Sequence, residues 1–183
     1  MIKLKDLLTE AQLSKYQIFA PGTGGRGTGN FKFNPRKVPT GRLNVYSMYD
    51  IGGQCYNKPY GVFWTSSYKQ KYKGSEWTDY KKKKWPDWHS SMGAVFQLKG
   101  SPKVLKIRNH NDYMKIQKKA PLDASNKCPS GELYLDWKKV SKMYDGFQLA
   151  GSTMSIPMLG QWDVESTAWF NMRKLKFVGT TKV

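Results

Sequence analysis

The sequence predicts a single α+β domain in which short antiparallel strands dominate and a few helices flank them. Two observations carry this. The chain has 183 residues, enough for one hydrophobic core and short for two. Along it, short β-branched and aromatic runs alternate with amphipathic stretches, without any internal repeat. Hydrophobic residues are only 39% of the chain, so seven Trp, eleven Tyr and eight Phe must supply much of the buried area.

Taken in order, residues 1–13 have Leu4, Leu7, Leu8 and Ala11 at helical spacing and read as an amphipathic helix. Ala20 to Asn30, APGTGGRGTGN, contains six Gly or Pro residues and reads as a linker. Residues 1–30 are therefore expected to precede a folded domain spanning 31–183. Within that domain, RLNVYSMY from Arg42 and YGVFWTSSY from Tyr60 to Tyr68 read as strands. A helix and exposed loop follow as far as Pro86. GAVFQLKG and KVLKIR are short strands around a Gly-Ser-Pro turn. NDYMKIQKKA reads as a helix capped by Asn109 or Asn111. LYLDWKKVSKMY reads as a helix carrying Leu135, Val140 and Met143 inward. DGFQLAG, WDVESTAWFN and LKFVG supply the closing strands.

Composition narrows the function classes. Lys and Arg number 31 against 13 Asp and Glu, a net charge of +18. Such a surplus calls for an acidic partner, with nucleic acid the first candidate. No apolar run is long enough to span a bilayer. No signal peptide is read in MIKLKDLLTE, so a cytoplasmic or intraparticle setting is expected. The two cysteines, Cys55 and Cys128, and the two histidines, His89 and His110, stand apart, so no metal site is expected. Gly22 and Gly27 have the spacing of a phosphate-cradling loop, but Thr28 stands where lysine is required.

In so basic a chain the acidic residues are informative. Asp163 and Glu165 lie two apart on a predicted strand and share one face. A carboxylate pair there either balances nearby lysines or has a chemical task, and the residues alone leave both open.

The order YGVFWTSSY, GAVFQLKGSPKVLKI, DWKKVSKMYDGF, WDVESTAWFN and LKFVG resembles the core of the ADP-ribosyltransferase superfamily over roughly residues 42–179. The resemblance implies split antiparallel sheets with NAD bound between them, and transfer of ADP-ribose to a protein or nucleic-acid acceptor. It implies Glu165 as the catalytic glutamate, with Asp163 two before it. Thr65, Ser66 and Ser67, with Tyr68 beside them, would form the Ser-Thr-Ser-like cofactor-binding motif. Arg42 would grip a phosphate of the dinucleotide, since Ser47 occupies the position where members carry Arg or His on the first strand. An inactive relative that keeps the fold is the alternative.

Two further segments bear on partners. Lys81, Lys82, Lys83, Lys84 and Trp85 lie in a basic, aromatic-rich stretch of the kind that meets phosphates and stacks on bases. Leu8-Thr9-Glu10 before Ala11 resembles the site cut by prohead proteases of large tailed bacteriophages. That implies a virion protein processed after Glu10, delivered to a bacterial host cytoplasm, with a host protein as one possible acceptor. A non-enzymatic, DNA-associated or structural virion protein on the same scaffold is the runner-up.

Overall fold

The computed structural model describes residues 14–20, 34–47, 57–70, 73–85, 92–122, 134–150, 159, 162 and 164–183. Its strands are β1 (Tyr16–Phe19), β2 (Tyr46–Ser47), β3 (Pro59–Tyr60), β4 (Phe63–Ser67), β5 (Met92–Leu98), β6 (Val104–Ile107), β7 (Gly146–Leu149), β8 (Ser166–Trp169) and β9 (Leu175–Lys182). Its helices are α1 (Glu76–Lys84), α2 (His110–Gln117) and α3 (Trp137–Met143). The class is α+β and the chain forms one domain. No helix among the described residues is long and apolar enough to cross a membrane.

Seven strands make one sheet in the order β6-β7-β8-β4-β1-β5-β9, and β2 pairs with β3 apart from it. Neighbours run antiparallel except β6 and β7, which are parallel. A parallel pair needs a crossover, and the chain between them supplies it with α2 and α3.

One sheet face is buried by those helices. Ile107, Phe147, Leu149 and Ala168 meet Tyr113 and Ile116 of α2 and Trp137 and Val140 of α3. The other face gathers Ala94, Phe96, Trp169 and Leu175 under Val38 and Leu43. The helices start where polar side chains take their free N–H groups. Ser75 and Thr78 form a reciprocal capping box at α1, Asn109 caps α2 and Asp136 caps α3.

Three expectations are revised. The folded domain does not begin at residue 31, because Tyr16–Phe19 lies inside the sheet between β4 and β5. Among the described residues the segment from Arg42 contributes the two-residue strand β2 and a bridge from Arg42 to Asn171, so β1 is the first core strand. Leu135 precedes α3 and forms a bridge with Pro121, while Trp137 is the large inward side chain of that helix. The expected helix at 1–13, the Glu10 processing site and most of the Gly-rich linker lie outside the described residues, as do both cysteines and His89.

The turn Tyr144-Asp145-Gly146 ties several segments together. The Asp145 carboxylate accepts from Lys103 N–H at 2.9 Å, Asn171 Nδ2 at 2.7 Å and Arg42 at 3.3 Å, with Lys174 Nζ at 3.9 Å. Its backbone N–H donates to Lys103, and its carbonyl accepts from Phe170 and Asn171. Burial pushes its carboxyl up, but the Asn171 and Lys103 hydrogen bonds and the charges of Lys174 and Arg42 outweigh this and hold it below the usual range.

Asp145→Asn is expected to destabilise the fold by about 1.5–3 kcal/mol at neutral pH, the scale of hydrogen bonds to a charged group. The folded carboxyl lies below its unfolded value, so its contribution is complete above the unfolded value of about 3.9 and fades as pH falls through the folded one. Urea midpoints at pH 7 and in steps below pH 4 check both parts. The variant should start lower and lose less stability on acidification.

Candidate active site

β4 is shared between two neighbours. Its residues Phe63, Trp64 and Thr65 pair with β8, while Ser66 and Ser67 pair with β1. Continuing the β4–β8 register by two residues would place Ser67 opposite Glu165. The ladder stops before that point, and the Glu165 side chain takes the Ser67 N–H instead, at 2.9 Å from Oε2.

Three further donors converge on the same carboxylate. Ser66 Oγ donates to Oε2 at 2.7 Å. Ser67 Oγ and Gln148 Nε2 donate to Oε1 at 3.1 and 2.7 Å. Gln148 comes from β7, where it pairs with Thr167 of β8, so its side chain reaches Glu165 diagonally along one face. All four donors are electrically neutral, and no ion pair involves Glu165 among the described residues.

A cation nevertheless feels this carboxylate. Lys106 pairs with Gln148 across β6 and β7. Burial and the nearby Arg108 push the Lys106 ammonium pKa down, and the charge of Glu165 works against that shift.

A cavity of about 230 Å³ is lined by Val164 and Ser166, on either side of Glu165 in sequence, but not by Glu165 itself. It opens where β1, β4 and β8 meet, with Ala20, Trp64, Thr65, Trp77, Trp162 and Ser166 among its walls. Trp64 and Trp162 stand edge to face at 4.8 Å, and Lys58 Nζ lies 5.1 Å from the Trp64 ring centre. An aromatic cleft with a few polar groups suits a flat, polar-edged ligand.

The expected site residues divide into three groups. Glu165, Ser66 and Ser67 come together. Thr65 lines the cavity but its hydroxyl serves the fold, donating to Gln17 at 2.8 Å and accepting from Trp169 Nε1 at 2.7 Å. Tyr68 joins β4 to β1 through its backbone N–H on the Tyr16 carbonyl. Asp163 lies outside the described residues.

Arg42 is not at this site. It donates to the Ser141 and Tyr144 carbonyls and to Asp145, at the opposite end of β7 from Glu165. The phosphate-gripping role implied for it is therefore withdrawn. Ser47 is buried, donating to the Leu135 carbonyl and accepting from Trp137 N–H, so it too serves the fold.

The basic stretch also divides. Lys81 is buried at 3% exposure. Its Nζ donates to the Ala20 carbonyl at 3.3 Å and lies over the Trp77 ring, so it does not face a phosphate. Lys82, Lys83, Lys84 and Trp85 are exposed.

Sequence reading missed Gln148, Lys106 and the tryptophan walls. Gln148 did carry a signal, as the one polar side chain in the strand GFQL. Among the described residues no three His, Cys, Asp or Glu side chains come close enough together to hold a metal ion. No family model, curated protein or solved structure matches this chain.

Gln148→Ala removes a buried donor to a charged group and should cost about 1–3 kcal/mol. Ser67→Ala removes the longest of the four contacts and should cost under about 1 kcal/mol. Thermal or urea unfolding of the two variants beside the wild type checks the order.

Proposed function

We propose that this chain is a mono-ADP-ribosyltransferase that takes ADP-ribose from NAD and passes it to a protein or nucleic-acid acceptor. The observation that carries this reading is the Glu165 carboxylate, fixed by neutral donors from β4 and β7 where β4 changes partners. The sequence resemblance to ADP-ribosyltransferases supports it independently.

The reaction breaks the bond between the ribose C1′ and nicotinamide, which leaves with the bonding electron pair. An acceptor nucleophile bonds to C1′ and loses its proton to solvent or a base. Positive charge builds on the ribose before the acceptor closes in. A fixed carboxylate nearby is most effective against such charge in a partly desolvated site. Lys58, at the cavity, is a cation that suits a phosphate of the dinucleotide.

The hydrogen bonds around Glu165 impose one condition. Two carboxylate oxygens offer about four lone-pair positions, and four donors occupy them. A ribose hydroxyl must displace one donor. Ser67 Oγ is the longest contact, and when its hydrogen leaves Glu165 its oxygen still accepts from Gln148 Nε2 at 3.4 Å.

A second reading is a non-enzymatic, DNA-associated virion protein on the same scaffold. The net charge of +18 favours it, and so does the fully hydrogen-bonded state of Glu165.

Incubation with labelled NAD, a bacterial lysate and DNA separates the two. Wild type should transfer label, and Glu165→Gln, assayed below its own unfolding temperature, should lose at least about 100-fold of the rate. Ser66→Ala should fall well below wild type, whereas Ser67→Ala should stay close to it. Folded wild type that neither transfers label nor releases nicotinamide would leave the second reading standing.

A further inference from the structure

We infer that the C-terminal end of α1 is a docking surface for single-stranded nucleic acid. The helix is electrically divided. Its acidic residues, Glu76 and Asp79, lie in the first turn, and Glu76 pairs with Lys69 at 3.9 Å. Lys82, Lys83 and Lys84 close the helix, exposed and without an ion pair among the described residues. Cations near a helix C-terminus complement its dipole, but that effect is confined to the last turn and does not call for three exposed lysines in a row.

The second component is aromatic. Trp85 caps the helix and is 41% exposed, one of three large hydrophobic side chains so placed among the described residues. It stands edge to face with Tyr80 at 5.4 Å and with Trp77 at 6.5 Å. Trp77 and Tyr80 are themselves stacked at 6.0 Å. The exposed indole is thus braced by two rings, which lowers the entropy lost when a base stacks on it.

The surface is also anchored. Lys81 Nζ and Trp77 Nε1 both donate to the Ala20 carbonyl at the end of β1. That bond pair fastens α1 to the sheet and turns Lys81 inward, leaving the three lysines after it outward. Trp77 is at once a brace for Trp85 and a wall of the cavity lined by β1 and β4, so the surface leads toward that cavity.

Exposed cations beside an exposed ring fit a phosphate chain with accessible base faces. A duplex hides those faces by stacking. An acidic peptide would use the lysines and leave the indole idle. The partner is therefore single-stranded, as DNA or RNA, and binding does not depend on the transferase reading.

Fluorescence anisotropy of the full chain with a labelled oligothymidylate or oligouridylate tests this across a salt series. Trp85→Ala should weaken binding about 5- to 100-fold, as expected for one lost base-stacking platform, with Trp85→Phe in between. Changing Lys82, Lys83 and Lys84 together to Ala should reduce the slope of log K against log salt by about 2, corresponding to three single-strand phosphate contacts. The lysine variant reads the surface even if Trp85→Ala fails to fold. Glu165→Gln should bind as wild type, which separates docking from chemistry. Wild-type affinity and salt slope in the Trp85 and lysine variants would overturn the inference. So would duplex DNA, polyglutamate or anionic phosphatidylserine vesicles competing as well as the single strand.

Discussion

One five-residue strand has to serve two half-sheets. β4 gives its first three residues to β8 and its last two to β1, so the hydrogen-bond ladder must change partners between Thr65 and Ser66. At such a point a backbone N–H would lose its acceptor, and a buried donor without one is costly. Glu165 resolves this by placing a side-chain oxygen where a strand carbonyl would have been. The Ser66 and Ser67 hydroxyls and the Gln148 amide complete the junction, so the residue that closes the gap is also the one to which the proposed chemistry is assigned. Fold and site share a single constraint here, and a change at Glu165 tests both at once.

The opposite end of β7 is held on another principle. Asp145 gathers Arg42, Lys174, the Asn171 amide and the Lys103 N–H. Those groups belong to the chain before β2, the turn after β8 and the start of β6. The parallel β6–β7 pair depends on this knot, because Asp145 and Lys103 exchange backbone and side-chain bonds just ahead of the register Val104 to Gly146. Between the two carboxylates, β7 presents Phe147 and Leu149 to the helices and Gln148 to the site.

Much of this was legible in the sequence where local pattern and tertiary role agree. WDVES and TSS stand out because polar residues interrupt aromatic strands, and the structure brings Glu165 and Ser66–Ser67 together. Asn109 was readable as a cap for the same local reason, whereas Asp136, read inside the helix LYLDWKKVSKMY, caps it instead. β1 was missed because YQIF is only four residues long and the Gly-rich run after it reads as a linker. Its identity as a strand comes from β4 and β5 on either side, which no window of sequence contains. Arg42 and Lys81 failed differently. Each is a cation that composition assigns to an anionic partner, yet each is occupied by carbonyl oxygens brought from far along the chain. Gln148 belongs between these cases, since its place in an apolar strand was visible but its partner was not.

The contrast between the two carboxylates bears on function. A chain with 31 basic and 13 acidic side chains has cations to spare, and an acidic residue kept only for charge balance should find one. Asp145 does, and its charge is largely cancelled by Arg42 and Lys174. Glu165 instead sits among two serines and a glutamine, with Lys106 acting on it only at longer range. Neutral donors orient a carboxylate without cancelling its charge. A negative charge oriented by dipoles, with no ion pair among the described residues, is the arrangement that the proposed transfer would use against positive charge on the ribose.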